Sequence, residues 1–300
     1  MKIAVTGANS SVGRNLLARV AETSDISVIG CVRSERAAAS LPRSPQIAPR
    51  IISYDDVGEL AETIKGASCM VHLAGILMES KTRTYASANV ATTVSVVEAS
   101  QKAGVRHIVF ISVLGASTDS SNRFLKSKGE AEGAVAESGI SSSIIRTPIL
   151  LGPGTAGAAA LVRTAAQGNV RLLGGGRYVL RPLDVDDLSR AILHVCQTQP
   201  EGVSVHELVG PESIPYRGLV TRVAGMMENP ITIGTIPVWI AKLGAALTSR
   251  IKGGGASPTV IDVITTNEVV QKNADVEMGI SLTPLSTTLE KILTQKKQEI

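Results

Sequence analysis

A glycine-containing loop directly after the first predicted strand constrains the fold of this chain more than any other feature. The strand Ile3–Thr6 leads into Gly7-Ala-Asn-Ser-Ser-Val-Gly13 and then into a helical pattern. Gly7 permits a sharp exit from the strand, and Gly13 lets the helix pack closely on the sheet. Because free N–H groups at the start of such a helix bind a pyrophosphate, the loop predicts a dinucleotide site. Its expected lining residues are Gly7, Asn9, Ser10, Ser11, Val12 and Gly13.

Ser10 stands where loops of this kind usually carry their middle glycine. Its Cβ narrows the approach of a phosphate to the backbone, although its hydroxyl could donate to a phosphate oxygen. We therefore expect weaker binding than such a loop normally provides. The alternative interpretation is an ordinary strand-to-helix turn that holds no ligand.

Short apolar runs alternate with helical patterns through the first half of the chain, which predicts an α/β Rossmann fold with a doubly wound parallel sheet. Strands are predicted over Ile3–Thr6, Val28–Val32, Ile51–Ser53, Met70–Leu73, His107–Ser112 and Ser143–Arg146. The regular alternation of predicted strands and helices ends after Pro148. We expect a dinucleotide-binding core over residues 1–155 and a smaller mixed α+β lobe over residues 156–300, partly interwoven with the core.

Composition argues against several other classes of protein. The net charge is only +4 with both signs interspersed, and Phe, Tyr and Trp total seven residues, so a nucleic-acid-binding surface is not expected. Cys31, Cys69 and Cys196 are too far apart in sequence to suggest a metal site or a disulfide framework. Without a signal-peptide pattern or a long apolar run, we expect a cytoplasmic protein.

The end of the second predicted strand bears on the choice of dinucleotide. NAD sites usually carry an acidic residue there to hold the ribose hydroxyls. Here the strand ends in Val32-Arg33-Ser34, and Arg33 is suited to a 2′-phosphate, with Ser34 and Arg36 available to assist. The sequence therefore favours NADP(H) over NAD(H), the alternative being that Arg33 is a solvated loop charge.

Several motifs in the same order and spacing resemble the extended and atypical short-chain dehydrogenases/reductases. They are Gly7–Gly13, Val71-His-Leu-Ala-Gly75, Asn89, Phe110-Ile-Ser-Val113, Lys128-Gly-Glu-Ala-Glu132 and Arg146-Thr-Pro148. Within these families the chain is most similar to the branch that contains the nucleotide-binding accessory subunit of respiratory complex I and bacterial NAD-dependent epimerase/dehydratase-like proteins.

The resemblance implies roles for the matching positions. Leu73, Ala74 and Gly75 would line the ribose side of the cofactor, and Asn89 would support the central helix. Ser112 would face the nicotinamide, and Lys128 would bond the nicotinamide ribose. Pro148 and Ile149 would lie in the loop beside the nicotinamide. The position where the family usually carries an acid for the adenine is Ser53.

The chain departs from the family at the position that carries acid–base chemistry. The resemblance implies a tyrosine four residues before Lys128, where Lys⁺ lowers the phenol pKa and the phenol exchanges a proton with the substrate. Phe124 occupies that position and has no ionisable proton. Tyr85 belongs to another segment and is not an obvious replacement. Ser112 and Lys128 remain as catalytic candidates.

Three functions stay open. The first is an NADP(H)-linked oxidoreductase with altered acid–base chemistry and an unidentified small-molecule substrate. The second is a non-catalytic accessory, assembly or redox-sensing protein that holds the dinucleotide and contacts a protein partner. The third, less favoured, is a peripheral membrane or quinone-linked role through the region of Trp239, with Lys242, Arg250 and Lys252 nearby. His72, in a predicted buried strand, is expected to be a core residue.

Overall fold

The computed structural model of the protein describes residues 1–22, 25–252 and 257–298. Its strands are β1 Lys2–Thr6, β2 Ser27–Val32, β3 Ile47–Ile51, β4 Cys69–His72, β5 His107–Val113, β6 Ser141–Thr147, β7 Leu150–Leu151, β8 Asn169–Leu173, β9 Val179–Leu180, β10 Leu183–Asp184, β11 Val203–Glu207, β12 Ile214–Pro215 and β13 Thr232–Ile236.

The helices are α1 Ser11–Ala21, α2 Glu35–Ala39, α3 Val57–Thr63, α4 Thr92–Ala103, α5 Arg123–Ala136, α6 Ala156–Ala165, α7 Val185–Thr198, α8 Tyr216–Met226, α9 Val238–Lys252, α10 Pro258–Ile264 and α11 Leu285–Gln298. A π-helical turn over Ala86–Ala91 leads directly into α4, and a short 3₁₀ turn spans Gly174–Gly176.

Seven strands form one parallel sheet in the order β11-β6-β5-β4-β1-β2-β3. The predicted Rossmann fold is therefore confirmed. The sequence-based third strand, Ile51–Ser53, was wrong in position, because the strand runs over Ile47–Ile51 and includes Pro49. Pro49 is tolerated because β3 lies at the edge of the sheet.

Two apolar layers cover the faces of this sheet. One is centred on Leu16 and Leu17 of α1 and on Leu188 and Ile192 of α7. The other is formed by α3, α4 and α5, as shown by the buried Leu60, Val96 and Ala131. Since β strands buried on both faces need apolar side chains throughout, the Val- and Ile-rich strands fit this position.

The second half of the chain contributes to both parts of the molecule. Strand β11 extends the large sheet and α7 packs on its face, although both follow residue 156. A third apolar cluster, which includes Leu161 of α6, Leu219 of α8 and Leu289 of α11, forms the core of the C-terminal lobe. The lobe is thus joined to the sheet by buried elements as well as by the chain itself.

Candidate functional site

Two glycines shape the loop between β1 and α1. Gly7 has φ +68°, and a Cβ built on it would lie 2.9 Å from the backbone nitrogen of Ala74. A Cβ on Gly13 would lie 2.5 Å from the carbonyl oxygen of Ala8. Both contacts are with backbone atoms, which cannot move aside as a side chain can. Neither position accepts a larger residue without displacing the loop.

Ser10 has a local structural reason to replace the usual glycine. It is the N-cap of α1, and its Oγ accepts the N–H of Gly13 at 3.0 Å. Serine is among the best N-cap residues, since its oxygen satisfies an N–H group that has no partner within the helix. The hydroxyl hydrogen is not used by this bond, so it can still be donated to an anion in front of the helix.

A cleft of about 570 Å³ lies at the carboxyl ends of β1, β2 and β4. Seven of the predicted site residues line it, namely Gly7, Asn9, Ser10, Arg33, Leu73, Ala74 and Gly75. Within the described part of the chain, the other predicted residues lie outside this lining: Ser11, Val12, Gly13, Ser112, Lys128, Pro148 and Ile149. Ser11, Val12 and Gly13 form the first turn of α1, directly behind the loop.

Two arginines that interact electrostatically line the cleft. Arg33 follows β2, and Arg83 comes from the segment between β4 and the π-helical turn. Burial, and next the positive charge of Arg33, lower the pKa of Arg83. No ion pair among the described residues includes either guanidinium. Two unneutralised guanidinium groups facing one cleft make a site for an anion.

Sequence reasoning missed Arg83 and Tyr54, which also lines the cleft. Burial, more than any neighbouring charge, raises the pKa of Tyr54 to about 12, so it stays a neutral aromatic wall. Both residues follow β strands that are separated from Arg33 along the chain. Only the crossover connections of the sheet bring them together, and no local spacing could have shown it.

Asn89 holds the loop that follows β4 in place through hydrogen bonds. Its Oδ1 accepts the N–H of Ile76 at 2.8 Å, and its Nδ2 donates to Ser127 Oγ of α5 at 3.0 Å. A Cβ on Gly75 would lie 3.1 Å from the same Oδ1. The amide therefore ties the cleft wall at Gly75 to helix α5.

Lys128 is buried against the sheet. Its Nζ donates to the carbonyl oxygen of Ile111 at 2.8 Å and lies 4.1 Å from the centre of the Phe110 ring. Burial lowers the pKa of Lys128 to about 7, against the opposing effect of Glu132. The side chain of Lys128 is thus close to an equal mixture of the neutral amine and the charged ammonium form at physiological pH.

This pKa predicts a pH dependence of stability. The folded-state pKa lies below the ordinary 10.5, so between these values the unfolded chain binds more protons and the free energy of unfolding rises with pH. Between pH 7 and 9, the unfolding free energy of the wild type should rise by about 2–3 kcal/mol relative to that of Lys128→Met, which lacks the titrating group. Denaturant unfolding of both proteins at the two pH values measures it. A difference that does not change with pH would contradict the assigned pKa.

The position four residues before Lys128 is apolar in its surroundings as well as in its side chain. Phe124 is 5% exposed, and its ring centre lies 5.7 Å from that of Tyr85. The phenol of Tyr85 donates to the carbonyl oxygen of Leu77 at 2.8 Å, and burial raises its pKa, followed by the effect of Glu79. A phenol therefore does come near Phe124, but it is a poorer acid than a free tyrosine and is already bonded.

Ser112 is 1% exposed, and its Oγ has no hydrogen-bond partner among the described residues. On the other side of the site, Ile149 is held through the C-terminal lobe. Its N–H donates to Glu268 Oε1 at 2.9 Å, and the N–H of Arg181 donates to Oε2 at 2.6 Å. Burial raises the pKa of Glu268. One carboxylate thus joins the loop after β6 to the lobe.

The remaining candidates are structural. His72 is 1% exposed, with Nδ1 2.6 Å from Thr6 Oγ1 and Nε2 3.1 Å from Thr93 Oγ1, so the prediction of a satisfied core histidine is confirmed. Burial lowers the pKa of His72 to about 3. Among the described residues no cluster of His, Cys, Asp or Glu could hold a metal ion. None of the described helices is both long enough and apolar enough to span a membrane.

Comparisons with known proteins agree with this geometry. The model of a family described as NAD(P)H-binding matches residues 7–172, which is more than half of the chain. Over 304 aligned residues, the chain is 25% identical to the mitochondrial NADH dehydrogenase (ubiquinone) 1 alpha subcomplex subunit 9 of Arabidopsis thaliana, which covers 93% of this chain and 73% of that protein.

A shorter match, 27% identical over 139 residues, is to a ceramide reductase of Caulobacter vibrioides and covers 46% of this chain and 44% of that protein. Among solved structures, UDP-glucuronic acid 4-epimerase from Bacillus cereus, in complex with UDP-glucuronic acid and NAD, has a TM-score of 0.77 at 18% identity and full coverage of both chains. At that identity, the structural likeness shows a shared fold.

Proposed function

Because the chain belongs to the NAD(P)H-binding family, we propose that it binds NADP(H) in preference to NAD(H) and is a short-chain dehydrogenase/reductase-like protein with weak acid–base chemistry of its own. The observation that carries the cofactor preference is the pair Arg33 and Arg83 in the lining of the cleft, with no ion-pair partner among the described residues. Of the described lining residues only Asp55 is acidic. A 2′-phosphate between the guanidinium groups would relieve their repulsion.

The remaining predicted residues would hold the rest of the dinucleotide. The N–H groups of Ser11 and Val12 in the first turn of α1 would face the pyrophosphate, with the Ser10 hydroxyl as an added donor, while Gly13 lets the helix start close to the loop because its own N–H is bonded to Ser10 Oγ. Leu73, Ala74 and Gly75 would line its ribose side. Lys128, Pro148 and Ile149 would lie toward the nicotinamide.

The proposed reductase would transfer hydride from NADPH to a small molecule with a reducible carbonyl. In this reaction the dinucleotide supplies the hydride, and the chain supplies positioning. Phe124 has no proton to give, and Tyr85 is bonded to a carbonyl oxygen with a raised pKa. Water would then supply the proton, at a cost of about 10²–10⁴-fold in rate relative to a placed phenol.

Phe124, at the position where the family has a tyrosine, also supports a second candidate function. A protein that only holds the dinucleotide needs the cleft and the two arginines but no proton donor at position 124. The match to a complex I subunit from Arabidopsis thaliana supports a role as an accessory or sensing component of a larger assembly. Under this proposal NADPH would stabilise the chain without being consumed.

Dinucleotide binding is the experiment that tests the proposal shared by both candidates. Purified protein is titrated separately with NADPH, NADP⁺, NADH and NAD⁺, and thermal unfolding and nicotinamide fluorescence are followed. At equal concentrations, the phosphorylated forms should raise the unfolding temperature more, because stabilisation follows RT ln(1 + [L]/Kd). No shift with any of the four would contradict dinucleotide binding, and an equal shift with all four would contradict the preference.

A further inference from the structure

Helix α9 exposes a stripe of large apolar side chains. Trp239, Leu243 and Leu247 follow one another at intervals of four residues and are 65%, 58% and 64% exposed, and Ile240 beside them is 46% exposed. Residues four apart lie on one face of a helix, so these side chains form one continuous surface. We call these four residues the α9 stripe.

The charge of α9 has a single sign. Its sequence contains Lys242, Arg250 and Lys252 and no aspartate or glutamate. Lys242 forms an ion pair with Asp262 of the neighbouring helix α10, and the side chains of Arg250 and Lys252 lie outside the part of the chain that the structure describes. The chain as a whole also carries a net charge of +4.

The opposite side of α9 is anchored to the site described above. Ala245, 8% exposed, is buried on that side, and α10 packs against both α9 and α5. The side-chain amide of Asn122, the N-cap of α5, donates to the carbonyl oxygen of Thr259 in α10 at 2.9 Å. The helix that carries Phe124 and Lys128 is therefore one element away from the stripe.

We propose that α9 is a docking helix for the surface of an anionic lipid membrane. A tryptophan and leucines on one face, together with cations and no acids, match the composition of helices that lie in the membrane interface. The apolar stripe would enter the boundary between headgroups and acyl chains, and the positive net charge of the α9 sequence would favour anionic headgroups. Docking would hold α10 and the start of α5 near the membrane, independently of whether dinucleotide is bound.

Trp239 provides a direct test because it is the only tryptophan in the chain. Its emission is followed as vesicles of phosphatidylcholine, with or without phosphatidylglycerol, are added to the protein, and vesicle flotation measures the bound fraction. We expect a blue shift and flotation with the anionic vesicles, both weakened by high salt. Leu243→Ser combined with Leu247→Ser should reduce the affinity for these vesicles by about tenfold or more.

A matched control removes apolar residues that are even more exposed but lie outside α9. Val269 and Val276 are 80% and 84% exposed, and Val269→Ser with Val276→Ser should bind anionic vesicles as the wild type does. Three results would overturn the proposal. They are no blue shift and no flotation, an equal loss of binding in both double variants, and a lipid-independent blue shift that grows with protein concentration, which would assign the stripe to contact with a second copy.

Discussion

Replacement of both Arg33 and Arg83 by alanine is expected to weaken NADPH binding by about 10²–10⁴-fold, because each hydrogen-bonded charge contributes about 1.5–3 kcal/mol. NADH lacks the 2′-phosphate, so its affinity should change by less than about threefold. Each single variant should weaken NADPH binding by less than the double variant does, since both guanidinium groups line the cleft. Calorimetric titration of the variants with the two reduced dinucleotides gives these ratios.

Arg36→Ala is the matched control for this experiment. The sequence left Arg36 available to assist Arg33, but the structure puts it at an exposed position on α2 that is not among the described lining residues of the cleft, so this variant removes the same charge from outside the site. We expect it to keep the affinity for NADPH. If the double variant lost NADPH and NADH binding to the same extent, the arginines would act on the pyrophosphate or on the loop structure, and the assignment of a 2′-phosphate site would be wrong.

Phe124→Tyr is expected to raise the rate of NADPH-dependent carbonyl reduction by about 10²–10⁴-fold, the usual contribution of a placed general acid. The new phenol would stand one helical turn before Lys128, whose ammonium form lowers a phenol pKa. Because the pKa of Lys128 is about 7, the gain should be larger below pH 7 than above it. NADPH oxidation with a panel of small aldehydes and quinones measures the change.

The control for this gain is Phe124→Tyr combined with Lys128→Met, which should return the rate to that of the wild type. Thermal unfolding of each variant checks that the tyrosine is accommodated beside Tyr85. A Phe124→Tyr protein that folds and binds NADPH normally but oxidises none with any carbonyl would contradict the reductase proposal. That outcome would favour the accessory role.

The parts of this molecule that depend on local pattern could be predicted from sequence. Gly13 is required by its close approach to the carbonyl oxygen of Ala8 within the strand–loop–helix unit, and Gly7 by its φ of +68° in the turn itself, so their spacing predicts the loop. The alternation of apolar runs and helices likewise predicts the parallel sheet, although β3 is displaced and the seventh strand, β11, comes from beyond the predicted core of residues 1–155. Its displacement follows from Pro49, which reads as a strand breaker until its edge position is known.

The parts that depend on distant segments could not be predicted. Tyr85 lies against Phe124 because the π-helical turn and α5 are neighbours in the fold, although 39 positions separate the two residues in sequence. Arg83 reaches the same cleft as Arg33 through the crossover between β4 and α4. Likewise, Cys69 and Cys196 are distant in sequence, yet their buried Sγ atoms lie 3.3 Å apart.

The preference for a 2′-phosphate is measured most directly by the affinity of the wild-type protein for adenosine 2′,5′-bisphosphate compared with adenosine 5′-monophosphate. The two fragments differ only in the phosphate that Arg33 and Arg83 would hold, and neither carries a nicotinamide or requires a substrate. If the two arginines hold a 2′-phosphate, the bisphosphate binds about tenfold or more tightly in calorimetric titration at fixed salt. Equal affinities, or tighter binding of the monophosphate, would show that the arginine pair does not hold a 2′-phosphate and would contradict the proposed preference for NADP(H).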